Sequence, residues 1–105
     1  MAWTVVECGT RRVPWDGEVE GDVYWAVLMD RRTGNELEFE LFIGVYYDEN
    51  GEELGFVEVT INGAVDFSEI FPWDEEKGVM RELRRRYRDI FDVLRKRCDK
   101  FILDI

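Results

Sequence analysis

Carboxylates and arginines are the side chains with chemical capacity in this 105-residue chain, and they are segregated along it. Residues 1–76 carry 19 Asp/Glu against 4 Lys/Arg, a net of −15, whereas residues 77–105 carry 10 Lys/Arg against 5 Asp/Glu, a net of +5. Glu20, Glu38, Glu40 and Glu58, expected to share one sheet face, could act in pairs as acid and base on a sugar, or gather a hard cation. Either use needs a concave, partly dry site, and the flat sheet face expected here supplies none. The chain has no histidine, so an imidazole relay or triad is missing. It has no Gly-x-Gly-x-x-Gly or Walker-type loop either. Ser68, the single serine, stands beside Glu69 with no base pattern around it. Cys8 and Cys98 without histidine do not make a zinc site. The residues therefore point away from an enzyme, and to no cofactor and no metal.

The elements that must position these side chains are mostly strands. Glu36-Leu37-Glu38-Phe39-Glu40-Leu41 alternates strictly, the period of a half-buried strand, and its odd positions continue as Ile43, Val45 and Tyr47. Odd apolar positions also run through Val19, Val23, Trp25, Val27 and Met29, and through Val57, Val59 and Ile61. Asp48-Glu49-Asn50-Gly51-Glu52 could be taken for a calcium loop, but its glycine is misplaced for one. It suits a hairpin loop with Gly51 left-handed, pairing Ile43 with Val57, Leu41 with Val59 and Phe39 with Ile61 inside. Arg31-Arg32-Thr33-Gly34-Asn35 fits the same loop type. It pairs Trp25 with Leu41 and Val27 with Phe39 inside, and turns Tyr24, Ala26 and Leu28 outward. A first strand over about 2–8 joins one edge, followed by an irregular loop over 9–17.

Asp66-Phe67-Ser68-Glu69 has capping-box spacing and predicts one helical turn before Pro72. Asp74 then caps a helix over about 75–100, whose stripe of Val79, Leu83, Tyr87, Ile90, Leu94, Cys98 and Phe101 is continuous. Arg85–Asp89, Arg88–Asp92 and Asp92–Lys96 are its attractive pairs. The apolar tail 101–105 would add an edge strand or cover the core. The expected fold is α+β: one domain over 1–105, an antiparallel sheet of four to five strands with a central meander 18–30, 36–48 and 54–63, and one long C-terminal helix across one face. Cys8 and Cys98 are either two small buried side chains or a disulfide tying the first strand to the helix.

The outer sheet face carries the functional expectation. Tyr24, Phe42, Tyr46 and Phe56 would form an aromatic centre, rimmed by Glu20, Asp22, Glu38, Glu40 and Glu58. Apolar centre and charged border is the layout of a protein interface, and its partner should be basic. A small acidic domain of this kind can inhibit by mimicking nucleic acid, as anti-restriction and anti-CRISPR proteins do as a class. A homodimer pairing through the same face is an alternative. Arg81, Arg84, Arg85 and Arg88 with Tyr87 invite nucleic-acid binding as a further alternative. The net charge of −10 opposes it at long range, so the arginines read first as a solvated helix surface.

With 46% apolar and 14% aromatic residues, the chain is not a disordered acidic tail. Its apolar stretches are far shorter than the roughly 20 residues of a membrane span, and the start of the chain lacks a basic signal-peptide region. A soluble, cytoplasmic protein is the expectation. The wealth of Glu and Arg and the lack of Gln suggest a thermophilic source, although two Asn-Gly pairs argue mildly against it.

Overall fold

The computed structural model describes residues 3–99. Five strands form one antiparallel sheet in the order β1-β2-β3-β4-β5: β1 Trp3–Val13, β2 Val19–Asp30, β3 Glu36–Tyr47, β4 Glu53–Ile61 and β5 Ala64–Phe71. A single 3-10 turn at Trp73–Glu75 leads into α1, Glu76–Arg86, and α2, Arg88–Arg97. The α+β class and the meander stand as expected, and the sheet has its fifth strand. No described helix is long and apolar enough to cross a membrane.

The β3–β4 hairpin has the expected register, with Phe39, Leu41 and Ile43 opposite Ile61, Val59 and Val57. Gly51 is left-handed at φ 76°. The Asp48 side chain accepts from the backbone N–H of both Asn50 and Glu52, which closes the loop locally. The β2–β3 hairpin differs by one residue. Its loop closes between Asp30 and Asn35, whose backbones hydrogen-bond at 2.9 Å, instead of between Arg31 and Asn35. Ala26 therefore faces Phe39 and Tyr24 faces Leu41, while Trp25 faces Glu40 and Val27 faces Glu38. A slip of one residue exchanges the faces of a whole strand. Tyr24, Ala26 and Leu28 point to the helix side; Val23, Trp25 and Val27 point away from it.

Three further expectations are corrected. Residues 66–69 are strand, not a helical turn, because Asn62-Gly63 closes a two-residue hairpin with φ of 52° and 82°. β1 runs on to Val13, so much of the expected loop over 9–17 is a paired edge strand beside β2. The long helix is two helices, broken at Tyr87, where φ −118° and ψ 29° leave the helical region. The helical N-cap is Glu75, without a side-chain cap bond, instead of Asp74. The tail 101–105 and Phe101 lie outside the described residues.

The core lies between the sheet and these helices. Leu28, Phe39, Leu41, Val59 and Leu83 are fully buried, with Phe91 and Leu94 nearly so. The Phe39 ring meets Tyr87 and Phe91 edge-on at 5.9 and 6.1 Å between centroids. A smaller group, Val57, Phe71 and Val79, sits beneath α1. The break has a visible partner: Tyr87 Oη donates to Asp66 Oδ2 at 2.5 Å, holding its ring down over Phe39. Burial and this hydrogen bond, which favours the neutral hydroxyl beside a carboxylate, push the Tyr87 hydroxyl well above its ordinary pKa. Cys8 on β1 and Cys98 after α2 are joined as a disulfide across 90 residues, with Cα atoms 6.4 Å apart.

Candidate binding surfaces

The corrected register redraws the outer sheet face. Of the expected residues, Glu38, Glu40, Phe42, Tyr46, Phe56 and Glu58 lie on it, on β3 and β4. Glu20, Asp22 and Tyr24 do not. They share the opposite face with Ala26 and Leu28, as the pairing of Glu20 with Val45 and Asp22 with Ile43 requires. Arg12 reaches Glu20 at 3.2 Å and Asp22 at 3.6 Å, so these two acids are partly neutralised. Tyr47 Oη donates to Glu20 Oε1 at 2.7 Å, and that bond raises the Tyr47 pKa. Burial, with the charge of Asp22 behind it, raises that of Tyr24.

Trp25, Val27 and Val23 take the vacated outer positions. The indole of Trp25 packs on Gly9 of β1: a Cβ there would come within 2.8 Å of the ring. Glycine at position 9 thus makes room for the largest side chain on the face. Phe42 and Phe56 meet on the neighbouring strands at 5.3 Å between centroids. Trp25, Val27, Phe42, Tyr46 and Phe56 all stay half-buried, while Val23 is tucked beneath its neighbours. Around this strip stand Glu7, Glu36, Glu38, Glu40 and Glu58, placed by pairing with Val27, Met29, Trp25 and Phe42. Glu40 is bridged by Arg11 at 3.0 Å, and Glu58 accepts from the Ser68 hydroxyl at 3.2 Å. Among the described residues, Glu7, Glu36 and Glu38 form no ion pair. A groove of about 290 Å³ runs along Trp25, Val27, Glu38 and Glu40.

The helix side is basic, and its pairs differ from those expected. Arg85 clamps Glu82 through Nε and an amino nitrogen at 3.0 and 2.6 Å, and Arg86 reaches the same carboxylate at 3.3 Å. The Arg85 clamp holds the Glu82 carboxyl below its ordinary pKa. The guanidinium of Arg86 also lies 5.0 Å over the Phe67 ring. The expected pairs 85–89 and 88–92 would need regular helical geometry next to Tyr87, where the backbone departs from it. Arg81, Arg84 and Arg88 form no ion pair among the described residues. They line a groove of about 430 Å³ at the break, together with Arg85, Arg95, Asp92 and the edge of Phe91.

No side chain of the described core is charged, and none of its buried polar atoms lacks a hydrogen-bond partner. Among the described residues, no three of the Cys, Asp and Glu side chains converge as a metal site would require. Sequence reasoning missed Trp25, Val27, Glu7 and Glu36 on the outer face. The signal for the first two was Asp30, placed to open its loop as Asp48 opens the next. No family model matches this chain, and comparison with curated proteins and solved structures gives no match.

Proposed function

We propose that this protein is a non-enzymatic binding module whose outer sheet face docks on a basic surface of a partner protein. The observation that carries the reading is the strip Trp25–Phe42–Phe56, half-buried and bordered by carboxylates on a sheet face with no second layer of described structure over it. A solvated sheet face is ordinarily plainly polar. Aromatic rings at the centre supply desolvation energy, and acids at the rim supply orientation and encounter rate. The cytoplasmic location expected from sequence belongs to this same proposal.

Spacing refines what kind of basic surface fits. Glu36, Glu38 and Glu40 are two residues apart on β3, roughly 6.8 Å per step. One nucleic-acid strand carries a charge about every 3.4 Å of axis, so this row has about half its density. The face therefore suits a partner that combines a basic border with an apolar pocket, and copies a phosphate strand only coarsely. Inhibition of a nucleic-acid-binding protein by occupying its basic channel is the finer form of the proposal.

The test compares wild type with Glu38→Lys/Glu40→Lys/Glu58→Lys and with Trp25→Ala as baits in the native host's extract. A specific partner should be lost at least ten-fold with both variants, and its purified form should bind with strong salt dependence. Capture unchanged by either variant ends the proposal. Sedimentation of the isolated protein addresses the homodimer alternative: a dimer dissociated by Phe42→Arg would assign the face to a second copy.

A further inference from the structure

The geometry points to a site for the sugar–phosphate backbone of a nucleic-acid duplex in the groove at the α1–α2 break. Arg81 and Arg84 on α1 and Arg88 and Arg95 on α2 line one groove across the break. The two helices meet at Tyr87, where the chain leaves helical geometry, and the arginines on either side surround a cavity of about 430 Å³. Three of these guanidinium groups, those of Arg81, Arg84 and Arg88, have no carboxylate partner among the described residues. Glu82, next to Arg81, is already occupied by Arg85 and Arg86, and Asp89, next to Arg88, does not line this groove. Among the described residues, Asp92 is the acid lining the groove, 3.8 Å from Arg95.

Two features select a duplex over a single strand. Single-strand sites place exposed aromatic rings for bases to stack on. Among the described residues, the ring in this groove belongs to Phe91, which is 1% exposed and packed on Phe39. Guanidinium forks with nothing to stack on or read recognise phosphate oxygens alone, which is how a duplex with its bases enclosed presents itself. Binding should then be independent of base sequence.

The net charge of −10 is a weaker objection than it looks from composition. The unpaired carboxylates of the outer sheet face point away from the helices. The molecule's two short dimensions are 26 and 24 Å, and the screening length at physiological salt is about 8 Å. Charges on opposite outer faces are therefore roughly three screening lengths apart.

The experiment is fluorescence anisotropy of a labelled 20-base-pair DNA duplex of mixed sequence, with the full chain in its disulfide form. Three phosphate contacts predict a salt slope near −2.7, so affinity should fall about 40-fold between 50 and 200 mM salt. Arg84→Glu/Arg88→Glu should abolish binding at 50 mM salt while circular dichroism and the melting temperature stay near wild type. Should that variant misfold, the single exposed changes Arg81→Ala, Arg84→Ala and Arg88→Ala serve instead, each lowering the slope by about one. The inference is overturned by no binding at 50 mM salt up to about 100 μM protein, the weak limit for non-specific duplex binding. It is equally overturned by folded arginine variants that bind like wild type, or by a single strand of the same length that binds more tightly than the duplex.

Discussion

Phe39 and Phe42 stand three residues apart on β3, yet they belong to surfaces of different kinds. Phe39 is fully buried between two aromatic rings of the helices, on a face closed by a disulfide. Phe42 touches Phe56 on the opposite face and stays partly in contact with solvent, beside Glu58 and Arg11's partner Glu40. The alternation of one strand thus feeds a dry core on one side and an amphipathic strip on the other. Apolar residues on both faces of a sheet that the described helices cover on one side are what the proposed contact surface rests on.

The largest expected effect comes from releasing the covered face. Replacing both cysteines, Cys8→Ser/Cys98→Ser, removes a covalent closure across 90 residues. On the chain-entropy account this costs about 4.5 kcal/mol, measurable by denaturant unfolding. A loss below about 1 kcal/mol would mean that packing alone fixes the helices to the sheet.

The comparison itself is probed by Phe39→Ala and Phe42→Ala. The first should cost about 3–5 kcal/mol, as a buried aromatic does, and the second about 1 kcal/mol. Equal costs would show that the outer strip is covered in solution, as pairing with a second copy would cover it.

The smallest effect lies at the helix break. Tyr87→Phe removes the hydrogen bond to Asp66, an exposed carboxylate that water can serve instead, and should cost about 1 kcal/mol. The folded pKa of Tyr87 lies above its unfolded value, so this contribution is fully present below about pH 10 and fades as pH rises towards the folded value. The wild-type advantage over Tyr87→Phe should therefore shrink above about pH 10 and reverse in strong alkali, where the partly buried hydroxyl must ionise beside Asp66. A stability difference independent of pH would instead assign the effect to packing.

The two central hairpins show how far the sequence was legible. β3 and β4 alternate strictly over Glu36–Leu41 and Val57–Ile61, and although Phe42, Tyr46 and Phe56 interrupt the polar parity, pattern and turn agree there on one register. β2 carries Val23, Trp25, Val27 and Met29 at one parity and Tyr24, Ala26 and Leu28 at the other, so pattern alone leaves it undecided. The decision falls to the loop, where the Asp30 carboxylate accepts the Arg32 N–H and moves closure one residue earlier. That single step carried Tyr24, Glu20 and Asp22 off the candidate surface and put Trp25 on it. Asn62-Gly63 is a plain hairpin signal that the reading of Asp66 and Glu69 as a capping box passed over. The break at Tyr87 left no trace in the apolar stripe, because 3- and 4-residue steps continue through it, and the Asp66 that Tyr87 meets there comes from a distant segment. The unpaired arginines were visible as a run, but their groove was not.

The Cys8–Cys98 bond also makes the polypeptide between them a ring. A protease cutting the exposed turn at Glu49–Glu52 would leave two fragments that migrate as one species until a reductant is added. The same turn is a place where the ring could be opened by design, with new ends at the hairpin tip, while the outer strip and the arginine groove stay on elements the cut does not touch.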